Sequence, residues 1–513
     1  MIFALTVIKL NVRTFEVLSM YSVEYAKVED SMDVQTASLG DESVGKLLFK
    51  MSVPATVGMM VGAVYNIVDT IFVGRGAGVD AIGGLAIAFP VYMVFMSFAF
   101  AIGVGGASVF SIALGEKNDE RAKKVVGNAL FSIVTLSVLA SVLGLVFVEE
   151  VLYLFGATPS LYPYAKDYIV IIFSGSIFFS LTVVLNSIVR AEGHAKAAMI
   201  TMILGTVINI FLDPIFIYEN LSFNLFGFNI IIPTLGLGIK GAAWATIISK
   251  FISFAYIVMY IYGNNTNFKI RLRDIKFDLE IQKRIFAIGI SVFVRQISTS
   301  IVAIVVNNLL RVYGGDNAIV IMGIVNRLLI FFFLPMFGVV QGMQPIIGYN
   351  YGAKKMERVK KTINLSIISM GSIAIVSWIL AQGFSYRLMG IFTTDLSIIE
   401  EGSSVMRIIL FFLPVVCIQI AGAAFYQSVG KAKQSLFLAL LRQIILFIPI
   451  VFILPAIFPQ NELLAIWISF PLADILSTVI SGLMLKFELK KLKNKPFEEQ
   501  NNKVGSEVVA CGK

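Results

Sequence analysis

"GEKNDERAKK" runs from Gly115 to Lys124 and "GAKKMERVKK" from Gly352 to Lys361; six of the ten positions agree, at an offset of 237. The same offset, without a gap, pairs "GHAK" (193–196) with "GKAK" (430–433), and Ala81–Ile82 with Ala318–Ile319. A short basic match alone says little, because basic loops look alike. One constant offset held over more than a hundred residues marks an internal duplication.

The duplicated material is apolar. The chain is 58% hydrophobic and 14% charged, whereas soluble domains are roughly half apolar and about a quarter charged. Windows of about 20 apolar residues identify candidate membrane spans. There are twelve, near 47–71, 84–112, 125–148, 168–189, 197–218, 239–262, 285–310, 318–347, 362–382, 404–428, 434–457 and 463–486. In hydrocarbon the backbone must satisfy its own hydrogen bonds, which predicts helices. The expected fold is therefore an all-α polytopic membrane protein with twelve transmembrane helices in two six-helix bundles. Each half has an even number of spans, so both enter the membrane from the same side, related by a pseudo-two-fold axis along its normal. The expected division is an N-terminal segment 1–45, an N-terminal lobe 46–262, a polar basic linker 263–284, a C-terminal lobe 285–487 and a basic tail 488–513. A cleft between two such halves, opened to either side by rocking, is transporter logic.

The net charge of +9 lies mainly in alternate loops, among them Lys117–Lys124, Arg190 with Lys196, Lys269–Arg284, Lys354–Lys361 and Lys431 with Lys433. The positive-inside rule makes those loops cytoplasmic, together with both termini, in a protein of the cell membrane. The charge is topological, so no nucleic-acid partner is expected. Two cysteines, a single histidine (His194) and no CxxC motif speak against metal clusters and histidine-based catalysis. Without a Walker A sequence, ATP-driven export is not expected either; the chain reads as neither an enzyme nor a cofactor protein. The opening "MIFALTVIKL" lacks the basic start and cleavage site of a signal peptide, and Met20 and Met32 are alternative starts.

Three acids lie well inside the spans: Asp69, Asp213 and Asp474. A mid-helix aspartate costs about 2.5–3.5 kcal/mol on insertion scales, so each needs a partner, a watery cavity or a proton. Tyr65 and Asn66 precede Asp69 by four and three residues, and Asn209 and Thr206 precede Asp213 by four and seven, which puts each set on one helical face. Two facing stripes of this kind would enclose a small polar chamber able to take a proton, or a hard cation such as Na⁺. The simpler alternative is that each carboxylate hydrogen-bonds a neighbouring helix as glue. Asp474, one turn past Pro471 and without a polar stripe, reads as readily as a packing or interfacial acid.

Pro54 to Asp69 ("P-x14-D"), "NIVDTIFVGR" (66–75), "GGLAIAFP" (83–90), "NIFLDPIFIY" (209–218) and "GIKGAAWATIIS" (238–249) resemble the multidrug and toxic compound extrusion (MATE) family over nearly all of 45–490. The resemblance is closer to its proton-coupled, DinF-like branch than to the NorM-like branch. It implies export of cationic or amphipathic compounds in exchange for H⁺ or Na⁺, with no other cofactor. It also implies a cation-coupling set of Asp69, Asn209, Asp213 and Thr246, which would equally hold Na⁺. Tyr65 matches a cavity tyrosine, with Asn66 and Thr206 beside it, and Pro54 matches a proline whose kink is proposed to accompany protonation. The NorM-like branch places further acids in the seventh and eighth helices; here those helices carry Arg295, Asn307, Asn308, Asn326 and Arg327 instead, which leaves coupling to the N-terminal half.

Expected partners are small cationic or amphipathic molecules and membrane lipid, with the chain a monomer. A flippase for a lipid-linked substrate is the runner-up, kept open by Arg295 and Arg327; a receptor or channel fits the duplication poorly. The glycines of "GVGG" (103–106) suit close helix packing better than a hinge. Gln341, Gln344, Gln419 and Gln427 are candidates for the cavity wall of the C-terminal half or for inter-helix hydrogen bonds.

Overall fold

The computed structural model describes residues 36–225, 228–266, 268–270 and 272–494. The first half holds α1 (Val44–Ala77), α2 (Val79–Gly115), α3 (Asp119–Val146), α4 (Tyr162–Ala191), α5 (Ala195–Ile217) and α6 (Ile239–Tyr260). In the second half, one 74-residue helix (Leu279–Gly352) divides at Gly315, whose φ of 64° and ψ of −160° are non-helical. It thus gives α7 (279–314) and α8 (316–352). Then come α9 (Met356–Gly383), α10, α11 (Ala432–Ile457) and α12 (Glu462–Asn494). The tenth span was expected to be continuous. Instead α10 is a pair, Leu396–Ile409 and Leu413–Ser428, bent by 50°. The break falls just ahead of Pro414, which has no N–H to carry the hydrogen-bond ladder of the first helix onward and suits the first turn of the second. Ten described helices are long and apolar enough to cross a membrane, the bent pair adds an eleventh, and the division at Gly315 gives twelve. Among the described residues the helices are joined by one small sheet. Asn220–Leu225 (β1) and Phe228–Pro233 (β2) form an antiparallel hairpin between α5 and α6, with Asn220 opposite Pro233.

The offset of 237 recurs in the backbone itself. Gly78 ends α1 with φ 89° and its counterpart Gly315 ends α7 with φ 64°; Gly193 (114°) and Gly430 (74°) are likewise paired. Two described non-glycine residues have positive φ, Lys117 (56°) and Lys354 (60°), and they too are 237 apart. A left-handed lysine costs roughly 1–2 kcal/mol. Both turns offset it by closing the preceding helix: Asn118 N–H donates to Ala113 O and Lys355 N–H to Asn350 O, at 3.0 and 2.8 Å. The quoted basic loops are one turn built twice.

Glycine sets how the halves meet. An added Cβ on Gly105 of α2 would overlap the Ile285 carbonyl of α7, beside Gly289, and one on Gly342 of α8 would overlap Ser52 of α1. Positions 105 and 342, and 52 and 289, are related by the same offset, so the seam is the same contact used twice. Near the basic loops a Cβ on Gly115 would strike Tyr349 O, and one on Gly352 would strike Ile112 O. Gly348 there faces Ser111, its own repeat partner, so the pseudo-two-fold axis passes between α2 and α8. Small residues allow this approach where lipid supplies no hydrophobic drive.

A further strap lies across the basic end. Residues 36–42 lead into α1 yet dock on the second bundle. Asn350 Nδ2 donates to Leu39 O (2.8 Å), Arg358 Nη2 to Glu42 O (2.7 Å), and Lys355 Nζ to Asp41 Oδ1 (2.9 Å). Leu39 is fully buried, and Lys355 holds the Asp41 carboxyl below its ordinary range. Outward, Val138, Leu139 and Val142 of α3 and their counterparts Ile375, Val376 and Ile379 of α9 are exposed, a stripe suited to acyl chains.

Candidate functional site between the bundles

A cavity of about 870 Å³ lies between the bundles, walled by α1, α2, α4, α5 and α6 of the first and by α8 and α10 of the second. Toward its basic end it meets the close glycine contacts of α2 with α7 and of α1 with α8. On α1 the wall is Met59, Gly62, Tyr65 and Asp69, three or four residues apart and so on one helical face. Phe89, Tyr92 and Phe179 supply aromatic surface.

Tyr65, Asp69, Thr206 and Thr246 all line this cavity. Asn209 and Asp213 lie just behind it, almost wholly buried, with Asn209 Nδ2 donating to Asp213 Oδ1 at 2.8 Å. The Asp69 and Asp213 carboxyl groups are neighbours close enough to act on each other. Tyr65 Oη is 3.5 Å from Thr246 Oγ1, and Tyr168 also reaches Thr246. Asp69 Oδ1, Asn209 Oδ1 and Asp213 Oδ2 are buried without a hydrogen-bond partner. Two residues stand apart. The side chain of Asn66 lies outside the described residues. Pro54 is buried in an unbroken α1, fifteen residues from Asp69, or about 22 Å along the axis. Its neighbours Ser52 and Thr56 pack on Gly342 and Gly338 of α8, which places Pro54 beside the seam.

Three cations stand on the cavity wall; Arg327 is already a candidate, whereas Lys250 and Arg190 are missed by a search of the spans confined to acids. Lys250, midway along α6, lies over the rings of Tyr65 (5.8 Å) and Phe179 (5.6 Å) and within the field of Asp69. Arg327 sits eleven residues into α8 and lines the cavity. Arg190, assigned by its position to a basic loop, is instead in the last turn of α4. There it lines the cavity and donates to Gln341 Oε1 of α8, a bond that joins the bundles. A lysine in the middle of a predicted span was a legible signal for Lys250; Arg190 gave none.

Gln341, Gln344 and Gln427 line the cavity, and Gln419 does not. Gln344 Nε2 donates to Gln427 Oε1 (3.1 Å), and Ser108 Oγ of α2 to Gln427 O (2.6 Å). The second bundle has its own chamber, of about 160 Å³, lined by Asn307, Asn326, Gln443, Arg442 and Asp474 among others. Asp474 pairs with Arg442, which lies in the π-helical stretch Leu441–Phe447 of α11. Arg295 lines neither chamber.

A duplicated twelve-helix bundle with a largely apolar cavity between its halves, set with a few polar and charged side chains, is the architecture of a membrane carrier. The MatE family model matches the chain twice, at residues 54–215 and 287–453, once in each bundle. The chain belongs to that family. The multidrug export protein MepA of Staphylococcus aureus (strain MRSA252) is 28% identical over 415 residues, 81% of this chain and 88% of the relative. MepA of Staphylococcus haemolyticus (strain JCSC1435) is 28% identical over 426 residues, 83% and 90% of the two. Among solved structures, an outward-facing multidrug resistance MATE transporter of the MOP superfamily matches with a TM-score of 0.82 at 25% identity, covering 89% of this chain and 98% of its own. A MATE in complex with MaL6 gives 0.81 and 25%, with 89% and 99% covered.

Proposed function

We propose that the protein is a secondary-active multidrug exporter of the cell membrane, with its basic end cytoplasmic, coupled to protons in the manner of the DinF-like branch. The observation that carries this reading is the pair of interacting carboxyl groups, Asp69 on the wall of the inter-bundle cavity and Asp213 just behind it. Two carboxyl groups can hydrogen-bond only when one of them carries a proton, because a carboxylate only accepts. One proton at the pair thus draws α1 and α5 together, and its loss leaves two like charges confronting each other in apolar surroundings. Tyr65, Thr206 and Thr246 supply hydroxyls around the pair. With the basic end cytoplasmic, the glycine seam leaves the cavity facing outward. In that state an incoming proton displaces an amphipathic substrate, and the emptied carrier resets. Coupling requires that the two facing states bind the proton with different affinity.

Na⁺ at the same place is the second reading, favoured by the three unpartnered oxygens on Asp69, Asn209 and Asp213. It would have to rely on amide and hydroxyl oxygens, since no group of three or more His, Cys, Asp or Glu suited to a metal occurs among the described residues. Reconstituted protein exporting a dye under an imposed pH gradient, then under an imposed sodium gradient, separates the two. Export under the sodium gradient alone would sink the proton reading; export under neither would sink the exporter.

A further inference from the structure

The duplication loses its register at one point. α6 begins at Ile239 and α12 at Glu462, 223 residues apart instead of 237, and Ala242 and Trp244 recur as Ala465 and Trp467 at the shorter offset. The difference of 14 is the length of Asn220 to Pro233. The hairpin is thus an insert in the first bundle, where the second bundle joins its helices with residues 458–461 alone.

The insert, "NLSFNLFGFNIIIP", carries no charge. Its register sets Leu221, Phe223 and Leu225 opposite Ile232, Ile230 and Phe228. Alternate positions along a strand share a face, so six apolar residues fall on one side of the ribbon. A two-stranded ribbon is marginal on its own, and an apolar one left in water invites aggregation. Something must cover it. At its base Ile232 is 47% exposed and Leu235 55%. Leu235 N–H donates to Ile215 O (3.0 Å) and Leu237 N–H to Phe216 O (2.9 Å), which seats this base on the end of α5. There Phe211 and Ile215, one turn apart, are exposed as well, and neither lines the inter-bundle cavity. The lipid-facing flank of α5 therefore continues into the base of the hairpin, at the end of the bundle away from the basic loops.

We propose that the hairpin is an interfacial anchor that lays its apolar face on the acyl chains of the outer leaflet, the basic end being cytoplasmic. Strand length sets the depth. Six residues reach about 20 Å, short of the roughly nine to eleven that a spanning strand needs. A two-stranded sheet also keeps two unpaired edges, which hydrocarbon does not tolerate. The ribbon must lie flat, with its edges among the headgroups. Because it has no charge, it should meet phosphatidylcholine and phosphatidylglycerol surfaces alike. The anchor holds the outer ends of α5, which carries Asn209 and Asp213, and of α6, which carries Thr246. It is independent of what the cavity transports.

The test places a small fluorophore, NBD, on Ile232→Cys or Phe223→Cys in the full chain with Cys417→Ser and Cys511→Ser, reconstituted in phosphatidylcholine vesicles. Brominated acyl chains should quench either label at least twofold, and iodide on both sides of the membrane should leave it nearly unchanged. A label on Asn224→Cys, at a position of the opposite face, should show the reverse. Exchanging half the lipid for phosphatidylglycerol should alter none of these ratios. Ile232 is already exposed, so its replacement spares the fold if that of Phe223 does not, and either position alone decides. Iodide quenching at 232 or 223 as strong as at 224, or a label that neither quencher reaches because the hairpin packs on protein, overturns the anchor. So does quenching by brominated lipid that appears only with phosphatidylglycerol.

Discussion

The two bundles share a scaffold down to single backbone angles and differ in what they do with buried charge. In the first, Asp69 and Asp213 are neighbours beside a large cavity, and among the described residues no salt bridge holds either. In the second, Asp474 already has Arg442 as a built-in counter-ion, at the edge of a chamber about a fifth the size. A duplicated fold can thus keep one half as a fixed frame and leave the other to respond. The carboxyl pair can answer to a proton arriving from outside, whereas the ion pair has its charge permanently satisfied.

The largest test of that contrast lies in the first bundle. Asp69→Asn and Asp213→Asn are each expected to reduce cation-coupled dye efflux from cells at least tenfold, with the protein still present in the membrane. Efflux near the native rate in both would end the coupling assignment. In the second bundle, Arg442→Ala leaves the buried Asp474 without its partner, which should lower stability by about 3–5 kcal/mol, read as thermal melting in detergent; Asp474→Ala should cost less, because Arg442 is partly exposed. The double change Arg442→Leu with Asp474→Leu should recover most of that loss, and an additive loss would show that the pair is not a unit.

A smaller effect separates equivalent loops. His194 in the first half and Lys431 in the second are repeat partners; Lys431 pairs with Glu488 at 2.5 Å, while His194 is buried with Tyr260 Oη 3.0 Å from its Nδ1. Burial, with Lys50 nearby, pushes the imidazole down to about 4 from an ordinary 6.5. Between those values the unfolded chain binds a proton that the native one refuses. Stability should therefore be full above about pH 6.5 and fall by roughly 3 kcal/mol as pH drops toward 4. His194→Asn should flatten that acid slope in melting experiments, and an unchanged slope would exclude this residue as its source. Smallest of all, Gly105→Ala and Gly342→Ala should each cost about 1–3 kcal/mol through overpacking at the seam. Losses that match between them would support an equal scaffold, and a large disparity would mean that the halves are not held alike.

Much of this was readable in the chain. The offset of 237 fixed the duplication, apolar windows located the spans, and side-chain spacing put Asp69 and Asp213 each on a polar face. Periodicity reveals such features because they are local to one helix. The counter-charges were not readable in the same way. Arg442 and Asp474 are 32 residues apart and meet only because α11 and α12 pack together. Arg190 looks like any basic loop residue until α8 is set against it. The hairpin at 220–233 and the strap at 36–42 were hidden for a similar reason: each is defined by what it docks on, and its own composition is unremarkable.

That strap has a consequence for watching the protein at work. Residues 36–42 are continuous in sequence with α1 but are pinned to α8 and α9 through Asn350, Arg358 and Lys355. Any opening at that end must peel the anchor free or drag the first helix along with the opposite half. A spectroscopic label at this point would therefore register each turnover from about 30 residues upstream of Asp69, without intruding on the space that the cargo needs.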